Sequence, residues 1–342
     1  MSLKSRLQTV ADVFHHYPYK VKRINNEPSL VKKGVWVVDT DAGRKVLRRL
    51  TTDENRMNFL LEAVQYLRDN GVLVMGPLPT TSGGYFVKED GAFFTVGNSI
   101  ADVTFDYHRQ VELKALMEGL AKFHRAAQGF RPKSVSATIY KLGSWSRMWG
   151  RHGELLQELA PGLKGGRILA DTLIARELDY FWERSVKLTQ ALAASQYGAW
   201  SEQIRNTGGL CHQEFYSGHV ILQSDSAPYL VDWGKMCVDL PARDLRKTCL
   251  KIMQYRGEWK PEVLLWLFRC YQAIHPLTQE QWRVVLLDMK YPHQFFYALH
   301  KYHQKRQRGW IDSRYGPKIK EVIKAERTKN RCLDHLDLSV LA

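Results

Sequence analysis

Residues 210–245 read LCHQEFYSGHVILQSDSAPYLVDWGKMCVDLPARDL, and their pattern indicates the architecture of the chain. Two short apolar runs, 220–222 and 229–231, have the length of strands. Between them the segment 224–228 (SDSAP) supplies Ser, Asp and Pro, which favour turns. The pattern therefore predicts a β-hairpin with polar residues gathered at its open ends.

Those polar residues follow a recognisable order. His212 and Glu214 precede the hairpin, His219 opens it and Asp232 follows it. The layout resembles the catalytic and metal loops of the kinase-like fold, in the form used by aminoglycoside and choline phosphotransferases. The resemblance implies that Glu214 occupies the catalytic Asp position, His219 a metal-binding Asn position and Asp232 an Asp-Trp-Gly metal loop. Glu214 and His219 both depart from the residue types of that pattern.

Three separated blocks narrow the resemblance to one family. They are LCHQEF, VDWGK and DLPARDLRK within 210–247, LAKFHRAAQGF at 120–130, and KGVWVVDTDAGRKVLRRL at 33–50. Together they resemble spore coat proteins of the CotS type, which carry a phosphotransferase-like domain. The resemblance implies an α+β, two-lobed protein-kinase-like fold with a small antiparallel-sheet N-lobe and a mostly helical C-lobe. A chain of 342 residues is long enough for both lobes.

We expect the N-lobe to span residues 1–97 and the C-lobe 98–342, with the segment 210–245 in the C-lobe. Hydrophobic periodicity and turn residues predict the main elements. These are a helix over 5–14, a hairpin over 34–50, a helix over 53–70 capped by Asp53, two or three strands within 77–96, helices over 111–124 and 171–196, a helical region over 263–300 broken at Pro276 and Pro292, and a loose tail over 337–342.

The second strand of the 34–50 hairpin carries the candidate phosphate-binding cation. In the kinase-like fold this strand holds a Lys that contacts the nucleotide phosphates, and the resemblance places that position at Arg48. Lys45 would point to the opposite face, because side chains alternate along a strand. Glu54 and Glu62 are the candidate acidic partners on the following helix, and the sequence leaves the choice open. The usual glycine-rich loop is absent, since residues 25–28 read NNEP.

The altered positions bear directly on metal binding. Mg²⁺ prefers hard oxygen ligands, so the imidazole of His219 is a poorer partner for it than an amide oxygen. Asp232 and His219 are the candidate metal ligands, and Glu214 would complete a site for a softer ion such as Mn²⁺ or Zn²⁺. Glu214 also carries one methylene more than Asp, and a displacement of about an ångström can cost on the order of a hundredfold in rate. The resemblance implies structural support from His212 and Asp244.

Composition limits the other possibilities. Lys and Arg number 50 against 35 Asp and Glu, a net charge of +15. The extra basic density over 301–331 has no nucleic-acid motif beside it, so a solvated surface is favoured over nucleic-acid binding. The five cysteines lack a C-x-x-C pair, which favours free thiols over a zinc site or disulfides. The start MSLKSRLQTV lacks the apolar run of a signal peptide, and no segment predicts a membrane span.

Two functions remain. The first is an endospore coat-associated protein whose degenerate, pseudokinase-like domain is a structural or assembly component. It would bind other spore coat proteins, and it would be made in the mother-cell cytoplasm and located in the coat. The alternative is an active small-molecule or protein kinase with Glu214 and Asp232 as catalytic residues. That alternative implies ATP with Mg²⁺ or Mn²⁺, bound by Arg48, His219 and Asp232; the first function requires no cofactor.

Overall fold

The computed structural model describes residues 3–25, 34–100, 105–133, 139–163, 168–223, 227–307 and 315–341. Two units account for the chain: Met1–Tyr140 with His212–Cys237, and Lys141–Cys211 with Val238–Ala342. A small antiparallel sheet and many helices make the α+β class correct. The lobe boundaries at 97 and 98 stay a prediction, because the units group residues by packing and place the 220–230 hairpin with the sheet.

The helices predicted over 5–14, 53–70, 111–124 and 171–196 are present, and the structure adds helices that the sequence patterns did not predict. The first unit contains α1 (Leu3–Phe14), α2 (Glu54–Asp69) and α3 (Gln110–Ala126). The second contains α4 (Trp145–Leu163), α5 (Leu169–Ala193), α6 (Tyr197–Thr207), α7 (Pro241–Arg256), α8 (Pro261–Gln272), α9 (Gln279–Lys290), α10 (His293–Gln307), α11 (Tyr315–Asp334) and a 3₁₀ turn (Ser339–Leu341). The predicted N-cap of α2 is confirmed, since the side chain of Asp53 accepts a hydrogen bond from the backbone N–H of Arg56 at 2.8 Å.

Five strands form the sheet of the first unit. In chain order they are β1 (Val21–Asn25), β2 (Val35–Thr40), β3 (Gly43–Leu50), β4 (Val87–Glu89) and β5 (Ala92–Asn98). Their order across the sheet is β1-β2-β3-β5-β4, with every neighbouring pair antiparallel. The region 77–96 thus supplies two strands, within the predicted range.

The β2–β3 hairpin shows why the two faces of the sheet differ. Gly43 has a φ of +86°, which the tight turn requires and which glycine adopts without a steric penalty. Pairing runs from Thr40↔Gly43 to Val35↔Arg48. Alternation then sends Trp36, Val38 and Leu47 into a buried core that includes Val10 and Phe14 of α1. Val35, Val37, Val46 and Arg48 are left on the opposite face.

The predicted 210–245 hairpin is present as β6 (Val220–Leu222) and β7 (Pro228–Leu230). The second strand begins one residue earlier than expected. The strand β7 also pairs with the segment 73–75. Leu230 N donates to Leu73 O, and Met75 N donates to Leu230 O, both at 2.8 Å. The turn residues 224–226, like residues 26–28 of the glycine-poor loop, lie outside the described residues.

Two prolines lie between helices of the second unit. The region 263–300 is divided near Pro276 and Pro292, as predicted, because proline cannot donate the hydrogen bond of a helix interior.

The prediction of a loose tail over 337–342 was wrong for the described residues of that segment. Leu338 and Leu341 are buried, and Gln272 Nε2 donates to the carbonyl O of Leu341 at 3.2 Å. Burial of these apolar side chains offsets the entropy of ordering the chain end.

The second unit also contains a buried ionic group that sequence patterns did not indicate. Arg246 Nε donates to Asp288 Oδ2, and His293 Nε2 lies against Asp288 Oδ1, each at 2.8 Å. Burial lowers the pKa of His293 to about 3, reinforced by the charge of Arg246, so the ring is neutral at physiological pH. The group ties α7, α9 and α10 together.

Two further observations complete the fold. All five cysteines are free and buried. None of the described helices has both the length and the apolar character needed to cross a bilayer.

Candidate functional site

The hairpin of the first unit places two of the predicted residues side by side. His219 precedes β6 and Asp232 follows β7. The backbone N–H groups of Val231 and Asp232 donate to the carbonyl O of His219 at 2.9 and 3.3 Å. Because an antiparallel hairpin aligns its open ends, the two side chains become neighbours.

Asp232 receives three polar contacts. Its Oδ2 lies 3.2 Å from His219 Nδ1 and 3.2 Å from Arg48 Nη1, and its Oδ1 accepts a hydrogen bond from Gly234 N at 3.2 Å. Burial alone would raise the pKa of Asp232, but the His219 hydrogen bond, the charge of Arg48 and the Gly234 N–H together hold that pKa well below its usual value. Asp232 is therefore ionised at neutral pH. A carboxylate can only accept, so Nδ1 of His219 carries the hydrogen.

Glu214 completes the group. Its Oε2 lies 3.6 Å from His219 Nδ1, and the ligand atoms of Glu214, His219 and Asp232 all lie within 4.8 Å of one another. Gln213, immediately before it, adopts a φ of +75°, a left-handed conformation that turns the chain sharply. The N–H of Glu214 donates to Nδ1 of the buried His212 at 3.3 Å. The structure thus brings the three residues together and places His212 against the loop backbone.

Arg48 and Lys45 point to opposite faces of β3, as alternation predicted. Lys45 is 6% exposed, and its Nζ donates to Ala42 O and Asn98 Oδ1, both at 2.8 Å. Its ammonium also lies 4.8 Å from the ring centroid of Tyr19. The side chain of Lys45 is therefore held on the buried face of the sheet by these contacts, whereas Arg48 contacts Asp232.

The two candidate acidic partners on α2 lie elsewhere. Glu54 pairs with Lys88 at 3.7 Å. Glu62 accepts a hydrogen bond from the backbone N–H of Lys133 at 2.9 Å. In the described ranges neither carboxylate contacts Arg48, whose ion pair is with Asp232.

A cavity of about 720 Å³ adjoins Arg48. Its walls are the face of β2, β3 and β5 that bears Arg48, the segments 75–77 and 98–100, and the hairpin residues Gly218, Ile221, Val231 and Trp233. Arg44 also lines it and pairs with Asp39, Nε to Oδ1 at 2.8 Å. The volume falls in the range of small-molecule pockets, and the mixture of apolar walls with a few charged groups is typical of them.

Two contacts that the sequence analysis missed hold the loops around the site. Trp233 Nε1 donates to the carbonyl O of Met75 at 3.0 Å. Ser217 N donates to the hydroxyl of Tyr107 at 3.2 Å, and the two side-chain hydroxyls are 2.7 Å apart. An indole beside Asp232 was a usable signal, because a buried indole N–H needs an acceptor. Tyr107 had no local signal.

Asp244 is buried in the first turn of α7. Its expected role as a structural support stays a prediction.

The resemblance implies a Mg²⁺ site, and the donor set does not fit one. Mg²⁺ requires near-octahedral oxygen coordination, whereas one of the three ligands is an imidazole. Both oxygens of Asp232 are engaged, Oδ2 by Arg48 and His219 and Oδ1 by Gly234. A divalent ion would have to displace a guanidinium that already neutralises the carboxylate.

Comparison with known proteins gives the relationship. Residues 45–336 match the family model described as "Spore coat putative kinase YutH". The chain is 26% identical over 333 residues to spore coat protein S of Bacillus subtilis (strain 168), covering 96% of this chain and 94% of that protein. It is 23% identical over 231 residues to a homoserine kinase of Rhizobium etli, covering 67% of this chain and 64% of that enzyme.

Solved structures establish the fold class. An aminoglycoside phosphotransferase from Alicyclobacillus acidocaldarius superposes with a TM-score of 0.79 at 14% identity, covering 95% of this chain and 94% of that one. The amicoumacin kinase hAmiN, in complex with AMP-PNP, Ca²⁺ and Ami, gives 0.63 at 12% identity, covering 100% and 98%. The predicted kinase-like phosphotransferase fold is confirmed. At these identities the likeness speaks for the fold alone.

Proposed function

This chain belongs to the YutH family of spore coat proteins, and from that premise we propose that it is a structural component of the endospore coat whose phosphotransferase-like site is not catalytic. It is synthesised in the mother-cell cytoplasm and joins other coat proteins in the coat. The relationship to spore coat protein S supports this placement.

One observation carries the proposal: the carboxylate at the metal-loop position is neutralised by the protein itself. Asp232 Oδ2 is shared by Arg48 and His219 at 3.2 Å each. Phosphoryl transfer depends on metal ions that neutralise charge between the phosphates. A carboxylate already paired with a guanidinium is a weak ligand for such an ion.

The surrounding substitutions act in the same direction. Glu214 adds a methylene at the position that orients the acceptor, His219 replaces an oxygen ligand by nitrogen, and Arg48 replaces a compact ammonium by a planar guanidinium. Each affects geometry that transfer requires to within about an ångström. Their combined effect favours a retained fold without retained chemistry.

Phosphate transfer from labelled ATP tests the proposal. We expect no hydrolysis, autophosphorylation or transfer to coat extract above background with either Mg²⁺ or Mn²⁺. The matched control is the triple variant Arg48→Lys, Glu214→Asp, His219→Asn, which restores the residue types of the phosphotransferase pattern. Turnover by the wild-type chain that Glu214→Ala abolishes would refute the proposal.

The structural role has its own readout in sporulating cells. A fluorescent fusion carrying Glu214→Ala should reach the coat as efficiently as the wild-type fusion, because incorporation depends on surfaces and not on transfer. A variant that folds but fails to enter the coat would show that the site itself is needed.

A second candidate, an active kinase, is favoured by the convergence of two carboxylates and a cavity. Glu214 and Asp232 are both acidic and lie in one cluster with His219, and the cavity of about 720 Å³ is lined by Arg48, the ion-pair partner of Asp232. In that case Glu214 would orient the acceptor hydroxyl, and Glu214→Ala would abolish transfer. The same ATP assay decides between the two candidates.

A further inference from the structure

Arg48 contacts the carboxylate of Asp232 with its guanidinium. Its position is set by β3, because Arg48 is paired with Val35 on one side and Thr95 on the other. Its side chain is 22% exposed, and Nη1 is 3.2 Å from Asp232 Oδ2. The neighbouring strands thus hold the guanidinium at the carboxylate from the cavity side.

The charge of Asp232 is already offset by Arg48 without an ion. Arg48 supplies one full positive charge, since a guanidinium stays protonated at all ordinary pH. The Nδ1–H of His219 and the N–H of Gly234 provide two further donors. A divalent ion would gain the carboxylate of Asp232 only by breaking a charge-assisted contact.

Arg48 also retains donors for a ligand. A guanidinium has five N–H groups in a planar fork, and the contact with Asp232 uses Nη1. Arg48 lines the cavity together with Val35, Val46 and Ile221. The cavity also has polar lining at Thr95 and Asn98 and the Asp39–Arg44 ion pair. Apolar wall surface beside a guanidinium suits a ligand that joins a flat apolar ring to a phosphate group, because arginine binds phosphate through paired hydrogen bonds.

We propose that Arg48 takes the place of the divalent cation at Asp232, so that the cavity holds a phosphate-bearing ring ligand of the nucleoside diphosphate class without a metal ion. This inference rests on the proposed non-catalytic function, since phosphoryl transfer in this fold depends on metal ions that bridge the phosphates. It extends that function by assigning the site a ligand class and a mode of binding.

The test uses ADP as the probe and the full chain. Calorimetry measures the ADP dissociation constant in EDTA and in excess Mg²⁺. We expect wild-type values that agree within about twofold, because no metal takes part. Arg48→Met should weaken binding in EDTA by about tenfold or more, the loss expected for a charged hydrogen bond. The matched control is Arg49→Met, which removes the same charge from the adjacent, exposed position of the same strand and should bind ADP as the wild type does.

Metal exclusion is measured separately by the electron paramagnetic resonance signal of Mn²⁺. Wild-type protein and Arg49→Met should leave the free Mn²⁺ signal unchanged. Arg48→Met should reduce it, because Glu214, His219 and Asp232 are then open to the ion. Wild-type ADP binding that requires Mg²⁺, or no ADP binding in either condition, overturns the inference. If Arg48→Met does not fold, the wild-type comparison still decides. Phosphate transfer alone would overturn the proposed function, so the two failures are distinguishable.

Discussion

At the scale of single residues, Asp232 is ionised because its neighbours outweigh the effect of burial. Arg48 and His219 both approach Oδ2, and Gly234 donates to Oδ1. The carboxylate therefore contributes to stability through a depressed pKa. The same contacts give Asp232 a structural role.

Asp232→Asn should destabilise the protein by about 1–3 kcal/mol at neutral pH, because charged hydrogen bonds are lost and Arg48 is left without its partner. The folded-state pKa lies below the unfolded value of about 3.9. The contribution is therefore present above about pH 4 and is lost as the pH falls below it. Urea unfolding from pH 7 to pH 3 measures the gap between wild type and variant.

The control for this change is Asp69→Asn, an exposed residue at the end of α2. A surface substitution of this kind should shift stability by less than about 0.5 kcal/mol. A gap for Asp232→Asn that stays constant down to pH 3 would contradict the electrostatic account.

At the scale of elements, α3 supports the hairpin that carries the site. Gly119 lies buried in α3 where the helix meets Pro228 of β7. A Cβ at this position would collide with the ring of Pro228 and would lie 3.5 Å from the ring of Phe215. Glycine is needed here for close packing, although it is a poor helix former.

Gly119→Ala should destabilise the protein by about 1–3 kcal/mol, because overpacking outweighs the gain in helix propensity. Gly150→Ala in α4 is the matched control, since a Cβ there meets nothing within 4 Å. That change should be neutral or stabilising by up to about 1 kcal/mol. Urea unfolding curves of the two variants measure the difference, and equal effects would count against the packing argument.

At the scale of the whole molecule, the five cysteines behave as core residues in both units. All are free and buried. Burial raises the pKa of Cys332 to about 11 and that of Cys249 further. Since the thiolate is the reactive form, the folded protein should be resistant to thiol reagents.

Ellman's reagent should therefore label essentially no thiol in the folded protein and all five in guanidinium chloride. Rapid labelling of one thiol under native conditions would show that its segment opens locally on the timescale of the assay. The pattern of labelled cysteines would then identify the less stable unit.

The sequence by itself determined part of the secondary structure and which residues were candidates for the site. The α2 helix with its Asp53 cap, the β2–β3 hairpin and the opposite orientations of Arg48 and Lys45 all follow from short-range rules of period, turn chemistry and alternation. His219 and Asp232 were predictable as neighbours for the same reason, because a hairpin aligns its own ends through local hydrogen bonds.

Only the tertiary structure decided which partners those residues have. Three contacts join residues far apart in the chain: the Arg48–Asp232 ion pair, the Lys45–Asn98 hydrogen bond and the Glu62–Lys133 hydrogen bond. The packing of the tail around Leu341 is of the same kind. No local pattern encodes such contacts, because they depend on how all the elements pack at once. A strand can specify which face a guanidinium points to, but only the packed molecule determines which carboxylate it meets there.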